Sequence, residues 1–267
     1  MISGTWVRIP PTPPKQGGTF VESSKKDKIK TAIAATIVLL LILTAIMITF
    51  KYSVEGETNM PFKLTKIVIG SMVVSSDNEL LTDTTENDIV QNNGIYFEIK
   101  KNESYKDDAV IDSVEISNIK ITQVPKKGSV KVYMPNTTEN KKFTYSNEFI
   151  LENNSLTYKG ASKTDTTALQ INNQGGIIAI AFGNTGLGTY SLTSQDLVID
   201  GTLLKGMGIT DEDIKFSVNF DFIINTEGKK FKTNISLDLP TSEITTSGKS
   251  SLEITDTSKY VFKRVNE

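Results

Sequence analysis

Twenty consecutive residues without a charge, Thr31 to Phe50, constrain this chain more than any other feature. The run TAIAATIVLLLILTAIMITF lies between Lys30 and Lys51, and eleven of its residues are Leu, Ile, Val or Phe. As a helix rising about 1.5 Å per residue it reaches roughly 30 Å, the thickness of a bilayer's hydrocarbon core. At about −0.3 to −0.6 kcal/mol for each large apolar residue, insertion is favoured by very roughly 3 to 7 kcal/mol. A helix packed on one side of a soluble core keeps a polar face, and this run has none. We expect a transmembrane helix over residues 31–50, with the lipid bilayer as its partner.

A cleaved signal peptide fits less well. The apolar run exceeds the usual core of such peptides, and Phe50-Lys51-Tyr52-Ser53 offers no small-x-small cleavage site. An uncleaved signal anchor is the expectation. Charge divides at the same place. Residues 1–50 carry six Lys or Arg against two acids, a balance of +4, and the remainder carries 23 against 29, a balance of −6. Lys25, Lys26, Lys28 and Lys30 crowd before the run and Lys51 stands alone after it, so the positive-inside rule puts the N-terminus in the cytoplasm and residues 51–267 outside a cell membrane. A mildly acidic outer part has no reason to seek nucleic acid.

Residues 1–30 form a polar cytoplasmic tail too short to fold. Its opening, Thr5 to Lys15 (TWVRIPPTPPK), resembles a polyproline ligand. The Val7-Arg-Ile-Pro10 text is also what the T-arm of a transfer-RNA gene yields in one frame, and an acceptor stem supplies the prolines that follow. Residues 1–20 are therefore expected to be a start read too far upstream, with the true start near Val21.

No cysteine and no histidine occur. Their absence removes Cys- and His-based zinc sites, Ser-His-Asp and Cys-His nucleophiles, thiol redox centres and disulfides. Residues 51–61 read as a polar stalk, and residues 62–267 as one outer β domain in preference to two divided at the polar stretch 135–147. Strand candidates follow at Leu64–Val74, Gly94–Lys100, Val110–Val124, Ser129–Met134, Leu156–Tyr158, Leu169–Ile171, Ile177–Phe182, Gly188–Leu192 and Tyr260–Val265. The Val110–Val124 run changes phase at Asn118, which predicts a bulge. Ile177–Phe182 is apolar on both faces and should be the most buried strand. Residues 216–239 alternate so regularly about Glu227-Gly228 that a long antiparallel hairpin is expected. Asp77–Asn93 reads as a loop, and Leu203–Asp213 as the one helical turn, N-capped at Thr210. These elements add up to a mostly β fold, an antiparallel β-sandwich of jelly-roll type.

Candidate sites each meet a plainer explanation. Thr210-Asp-Glu-Asp213 lacks the spacing of a calcium loop and suits helix capping. Asp107-Asp108 and Asp77/Glu79/Asp83 read as solvated loop charges, and Gly183, Gly186 and Gly188 as a flexible loop. Leu239-Pro-Thr-Ser-Glu243 has Glu where a sortase signal needs Gly, and no aspartic-protease triplet is present. The sequons at Asn102, Asn136, Asn153 and Asn234 follow from composition. Phe216, Phe220 and Phe222 read as a core face, and Ala32/Thr36 and Ala45/Thr49 as small-residue pairs that would let two helices approach. We assign no catalytic, cofactor-binding or metal residue.

Three segments, PKKGSVKVYMPN (Pro125–Asn136), NQGGIIAIAF (Asn173–Phe182) and DGTLLKGMGITDEDIKFSVNFDF (Asp200–Phe222), are similar to a group of uncharacterised single-pass bacterial membrane proteins with an extracytoplasmic β domain. The resemblance implies that layout and brings no activity with it. The expected role is a membrane-anchored binding or envelope-assembly protein, not an enzyme, meeting cell-wall polymer or another envelope protein. A sensor of the anti-sigma kind and a carboxylate-based glycan hydrolase are the alternatives.

Overall fold

The alternation of residues 216–239 sets the frame of the β domain. In the computed structural model, which describes residues 20–75, 86–136, 143–161, 169–191, 201–241 and 244–265, β8 (Phe216–Thr226) and β9 (Lys229–Leu239) pair antiparallel from Phe216 opposite Leu239 to Thr226 opposite Lys229. Glu227 and Gly228 both take positive φ (51° and 69°), the two-residue turn whose twist matches that of the strands. β3 (Ile111–Gln123) lies on the other side of β8, and its register slips between Ser117 and Lys120. Asn118 sits in that slip at φ 52°, so the phase change read in the sequence is a bulge. β5 (Ser155–Gly160), β6 (Gln170–Ile171) and β11 (Lys263–Val265) complete a six-stranded sheet in the order β11-β9-β8-β3-β5-β6, antiparallel except for β5–β6.

The second sheet has the order β10-β1-β2-β7-β4, built from β1 (Phe62–Ser75), β2 (Glu86–Lys101), β4 (Ser129–Tyr133), β7 (Gly175–Ser191) and β10 (Lys249–Ile254). Three expectations are corrected here. Residues 86–93 of the expected loop are the first half of β2, paired to β7 on one side and, from Ile89 onward, to β1 on the other. Polar side chains there misled the reading, because the backbone of a central strand is satisfied by two neighbours whatever the side chains are. Gly183, Gly186 and Gly188 continue β7 instead of forming a loop, with the pairing to β2 shifting between Ile89 and Gln91. Ser/Thr-rich residues 244–254, for which no element was expected, form a helical turn, α4 (Ile244–Ser247), and β10.

Inward residues of both sheets share one core. Phe97 of β2 meets Phe220 and Phe222 of β8 at ring-centroid distances of 5.8 and 5.0 Å, and Phe182 of β7 meets Phe216 at 6.5 Å. The sheets thus face one another in a sandwich-like arrangement, with all five of these rings fully buried. A smaller apolar cluster lies at the end away from the chain's entry, where Val73, Ile89 and Leu187 meet Leu204, Ile209, Ile214 and Ile244. Those last four come from α2 (Gly201–Gly206), α3 (Asp211–Ile214) and their surroundings, and α4. The single helical turn expected over 203–213 is therefore two short helices.

The segment expected as a polar stalk divides in the structure. Residues 51–55 end a long helix, α1 (Phe20–Glu55), and residues 56–61 pack onto the β domain. The Glu57 N–H donates to the Phe262 carbonyl (2.8 Å), and the buried Asn102 side chain donates to the Met60 carbonyl (2.8 Å). Gly56 has φ 72°, and a Cβ there would meet the Phe262 carbonyl oxygen and Val261. Gly56→Ala should therefore destabilise by about 1–3 kcal/mol, through left-handed strain and displacement of this contact, read as a lower urea midpoint at unchanged m-value. Within α1, Lys28–Glu55 is long and apolar enough to cross a membrane, and none of it is buried in the protein.

Candidate functional site

Polar groups gather in three places, and each is explained by how its strands alternate. The first is a band inside the sandwich. Gln91 and Asn93 lie between Ile95 of the main core and Ile89 of the smaller one, and Asn184 lies between Phe182 and Leu187. All three amides are fully buried. The Asn93 Nδ2 donates to the Phe182 carbonyl (3.1 Å), Gln91 Nε2 to Asn93 Oδ1 (3.2 Å) and Asn184 Nδ2 to the Lys127 carbonyl (3.1 Å). Backbone carbonyls only accept, so they fix the amide orientations from outside. This polar seam separates the two apolar clusters and was hidden within the expected loop.

The second is the outer face of the five-stranded sheet. Gly94, Ala179, Ala181 and Gly183 make a trough of small residues there, and four rings lie across it. Tyr96 contacts Phe143 (6.0 Å), Phe143 contacts Tyr145 (6.1 Å) and Tyr145 contacts Tyr133 (5.1 Å). Ala179 and Ala181 are fully buried as a result. Burial pushes the phenols of Tyr96, Tyr133 and Tyr145 above their ordinary value, most strongly for Tyr145. A raised acid pKa means the unfolded chain loses its proton first. Stability is then complete below the ordinary phenol value of 10.0 and falls as pH rises past it. Denaturation at graded alkaline pH should show the midpoint dropping from about pH 10 upward.

The third is the outer face of the six-stranded sheet, a cross-strand polar network. Asp221 accepts from Asn118 Nδ2 (2.7 Å), Lys232 Nζ (3.1 Å) and Asn234 Nδ2 (3.2 Å). Partial burial opposes its ionisation, but those three donors outweigh it and hold the carboxyl below the usual range. Ser217 Oγ donates to Asp238 (2.6 Å), and Asn219 Nδ2 to Ser236 Oγ (2.7 Å).

The sequence candidates fall as follows. Asp213 accepts from the Thr210 N–H (2.9 Å) and hydroxyl (2.7 Å). Asp211 instead caps α4, accepting from the Thr245 N–H and hydroxyl, both at 3.0 Å. Asp211 and Asp213, two of the three acids in that segment, are thus engaged in capping, and among the described residues no group of three or more potential His, Cys, Asp or Glu ligands comes together. Asp107 and Asp108 are exposed, with Asp108 3.7 Å from Lys101. Asp77, Glu79, Asp83 and Glu243 lie outside the described residues. Phe216, Phe220 and Phe222 face the core, as expected. Thr36 and Thr49 donate to the carbonyls of Ala32 and Ala45 (2.9 and 2.8 Å), and so keep their hydroxyls satisfied within the helix. Asn102 and Asn234 spend their side chains on structural bonds.

Together these define a β-rich domain of two facing sheets behind one long apolar helix. Comparison with protein families, curated proteins and solved structures gives no match for the chain. The likeness of the three quoted segments therefore reduces to its coarse content, that helix and that domain.

Proposed function

We propose that the chain is a single-pass membrane protein whose β domain stands outside the cytoplasm and binds an envelope component, either wall polymer or another envelope protein, without catalysing a reaction. One observation carries this reading: the helix over Lys28–Glu55, uncharged on every side from Thr31 to Phe50, contributes nothing to either apolar cluster of the β domain. A helix of that kind has no place in water, and a domain whose core is complete without it does not need it for folding. The lysines before the helix favour a cytoplasmic N-terminus. The fold is taken as an antiparallel sandwich whose sheet-to-sheet crossings are of the kind jelly rolls use.

A glycosidase acid needs a raised pKa, and the carboxyls of Glu98, Asp213, Asp221 and Asp256 are held below their usual range, chiefly by hydrogen bonds that favour the charged form, so these four do not suit that role. Tethering raises the local concentration of a binding domain near its envelope target. The test is alkaline extraction of membranes and protease treatment of intact cells, followed by crosslinked pull-down. Retention in the membrane with outer residues cleaved is the expected result. Release by alkali, or full protection of the β domain in intact cells, overturns it. A captured signalling regulator bound to the N-terminal tail would favour the sensor reading.

A further inference from the structure

We propose that β10, an edge strand of the five-stranded sheet, pairs antiparallel with the β10 of a second copy of this chain, so that two sheets become one. The inference concerns the β domain alone and does not depend on the membrane reading. The other outermost strands are covered or short. Beside β4, the Met134 N–H donates to the Phe149 carbonyl and the Leu151 N–H to the Val132 carbonyl, both at 2.9 Å. β6 and β11 run for two and three residues. β10 has six residues, with β1 on one side and no strand on the other. Its register fixes which backbone groups are free. The Val73 N–H donates to the Gly248 carbonyl (2.8 Å), and the pairing continues without a shift from Met72 opposite Lys249 to Ile67 opposite Ile254. Antiparallel pairs alternate between bonded and non-bonded. Ser250, Leu252 and Ile254 therefore bond β1, and the N–H and C=O groups of Lys249, Ser251 and Glu253 point to the open side. Among the described residues one of these groups is engaged: the Lys249 carbonyl accepts the Ser247 hydroxyl and keeps a second lone pair. A row of free donors and acceptors on an edge is a template for another strand.

The occupant is argued from charge and symmetry. In a twofold contact, whatever residue i meets, its counterpart meets in return. With Ser251 on the twofold axis, every open residue finds an open partner: Ser251 meets Ser251 of the second copy, and Lys249 meets its Glu253, twice over. Lys249, Ser251 and Glu253 are all exposed and share one face of the strand, so the two outer rungs bring opposite charges directly across. Centring the axis on Lys249 or on Glu253 sets like charges opposite one another. Registers between these leave Glu253 or Lys249 without a partner in β10. Lys249 forms no ion pair among the described residues. Glu253 gives one oxygen to Lys66 (3.0 Å) and stays half exposed. On the opposite face Leu252 lies across from the buried Ile69, yet it is 42% exposed. The same register sets it diagonal to Leu252 of the second copy, within reach of an apolar contact.

The chain has no cysteine, so one introduced thiol reports contact between copies. The full chain is purified in detergent, oxidised mildly at graded dilution and separated without reductant. Directly opposed Cα atoms of a bonded pair lie about 5.5 Å apart, a separation a disulfide spans. Ser251→Cys should give about fivefold more disulfide dimer than Val124→Cys, whose exposed site just beyond β3 reports random collision. Adding Lys249→Glu to Ser251→Cys sets acid against acid and should lower the yield to the collision level, at unchanged thermal unfolding. Adding Glu253→Lys as well returns opposite charges to each outer rung and should restore the yield. A second measurement needs no variant: the Ser251 and Glu253 amides of the unsubstituted chain should be protected from exchange when concentrated and lose protection on dilution, while the Leu252 amide stays protected. Equal yields at 251 and 124, no recovery in a swapped variant of unchanged thermal unfolding, or Ser251 and Glu253 amides that exchange freely at every concentration overturns the proposal. Protection of these amides that appears only when other envelope proteins are added identifies a different strand donor, and overturns self-pairing too.

Discussion

Phe97→Ala should destabilise the β domain by about 3–5 kcal/mol, the cost of emptying a large buried aromatic site. Phe97 is fully buried at the centre of β2 and touches Phe220 and Phe222 across the sandwich. Its tilted and edge-on contacts add about 0.5–1.5 kcal/mol per pair beyond area alone. Strands flank it on both sides, with Ile67 opposite on β1 and Ile178 opposite on β7, so the backbone cannot collapse into the space. A loss of that size is a large part of a typical domain's stability. Urea denaturation should show a sharply lower midpoint, and Phe97→Leu, which refills most of the volume, should recover more than half of it. An effect below about 1 kcal/mol would mean that the two sheets do not share this core.

Tyr158→Phe should cost about 2–4 kcal/mol, although it removes a single oxygen. Tyr158 belongs to β5 of one sheet, but its hydroxyl donates to the Ala179 carbonyl (2.5 Å) and accepts from the Ala179 N–H (3.1 Å) of the other. β4 pairs with β7 only from Ala181 onward, so Ala179 faces an edge with no strand beside it. The phenol takes the place of the missing strand, and its removal strands two buried backbone groups at once. Burial also pushes the phenol up, in spite of the bond to Ala179. Hydrogen exchange should localise the damage: amides of β7 near Ala179 should lose protection before those of the β8–β9 hairpin. A near-neutral substitution would place water, not the phenol, against Ala179.

Much of this architecture is legible in the chain because it depends on local period. The uncharged run from Thr31 to Phe50 needs no tertiary partner to declare itself, since length and transfer free energy are properties of the segment. The hairpin of residues 216–239 declares itself by alternation, with a Glu-Gly turn at its only phase break. The bulge at Asn118 is visible for the same reason: a period of two cannot slip without leaving a mark.

What the sequence could not supply lies where a residue's role is set by distant chain. Gln91, Asn92 and Asn93 look like loop residues, and become buried strand only because β1 and β7 flank them. The tyrosine hydroxyl at 158 meets Ala179 through folding alone. Alternation and hydropathy are sums over neighbours in sequence, so they determined the apolar helix and the regularly alternating strands with their inward faces. Pairing order and the polar seam are contacts across tens to hundreds of residues, and only the tertiary structure decided them.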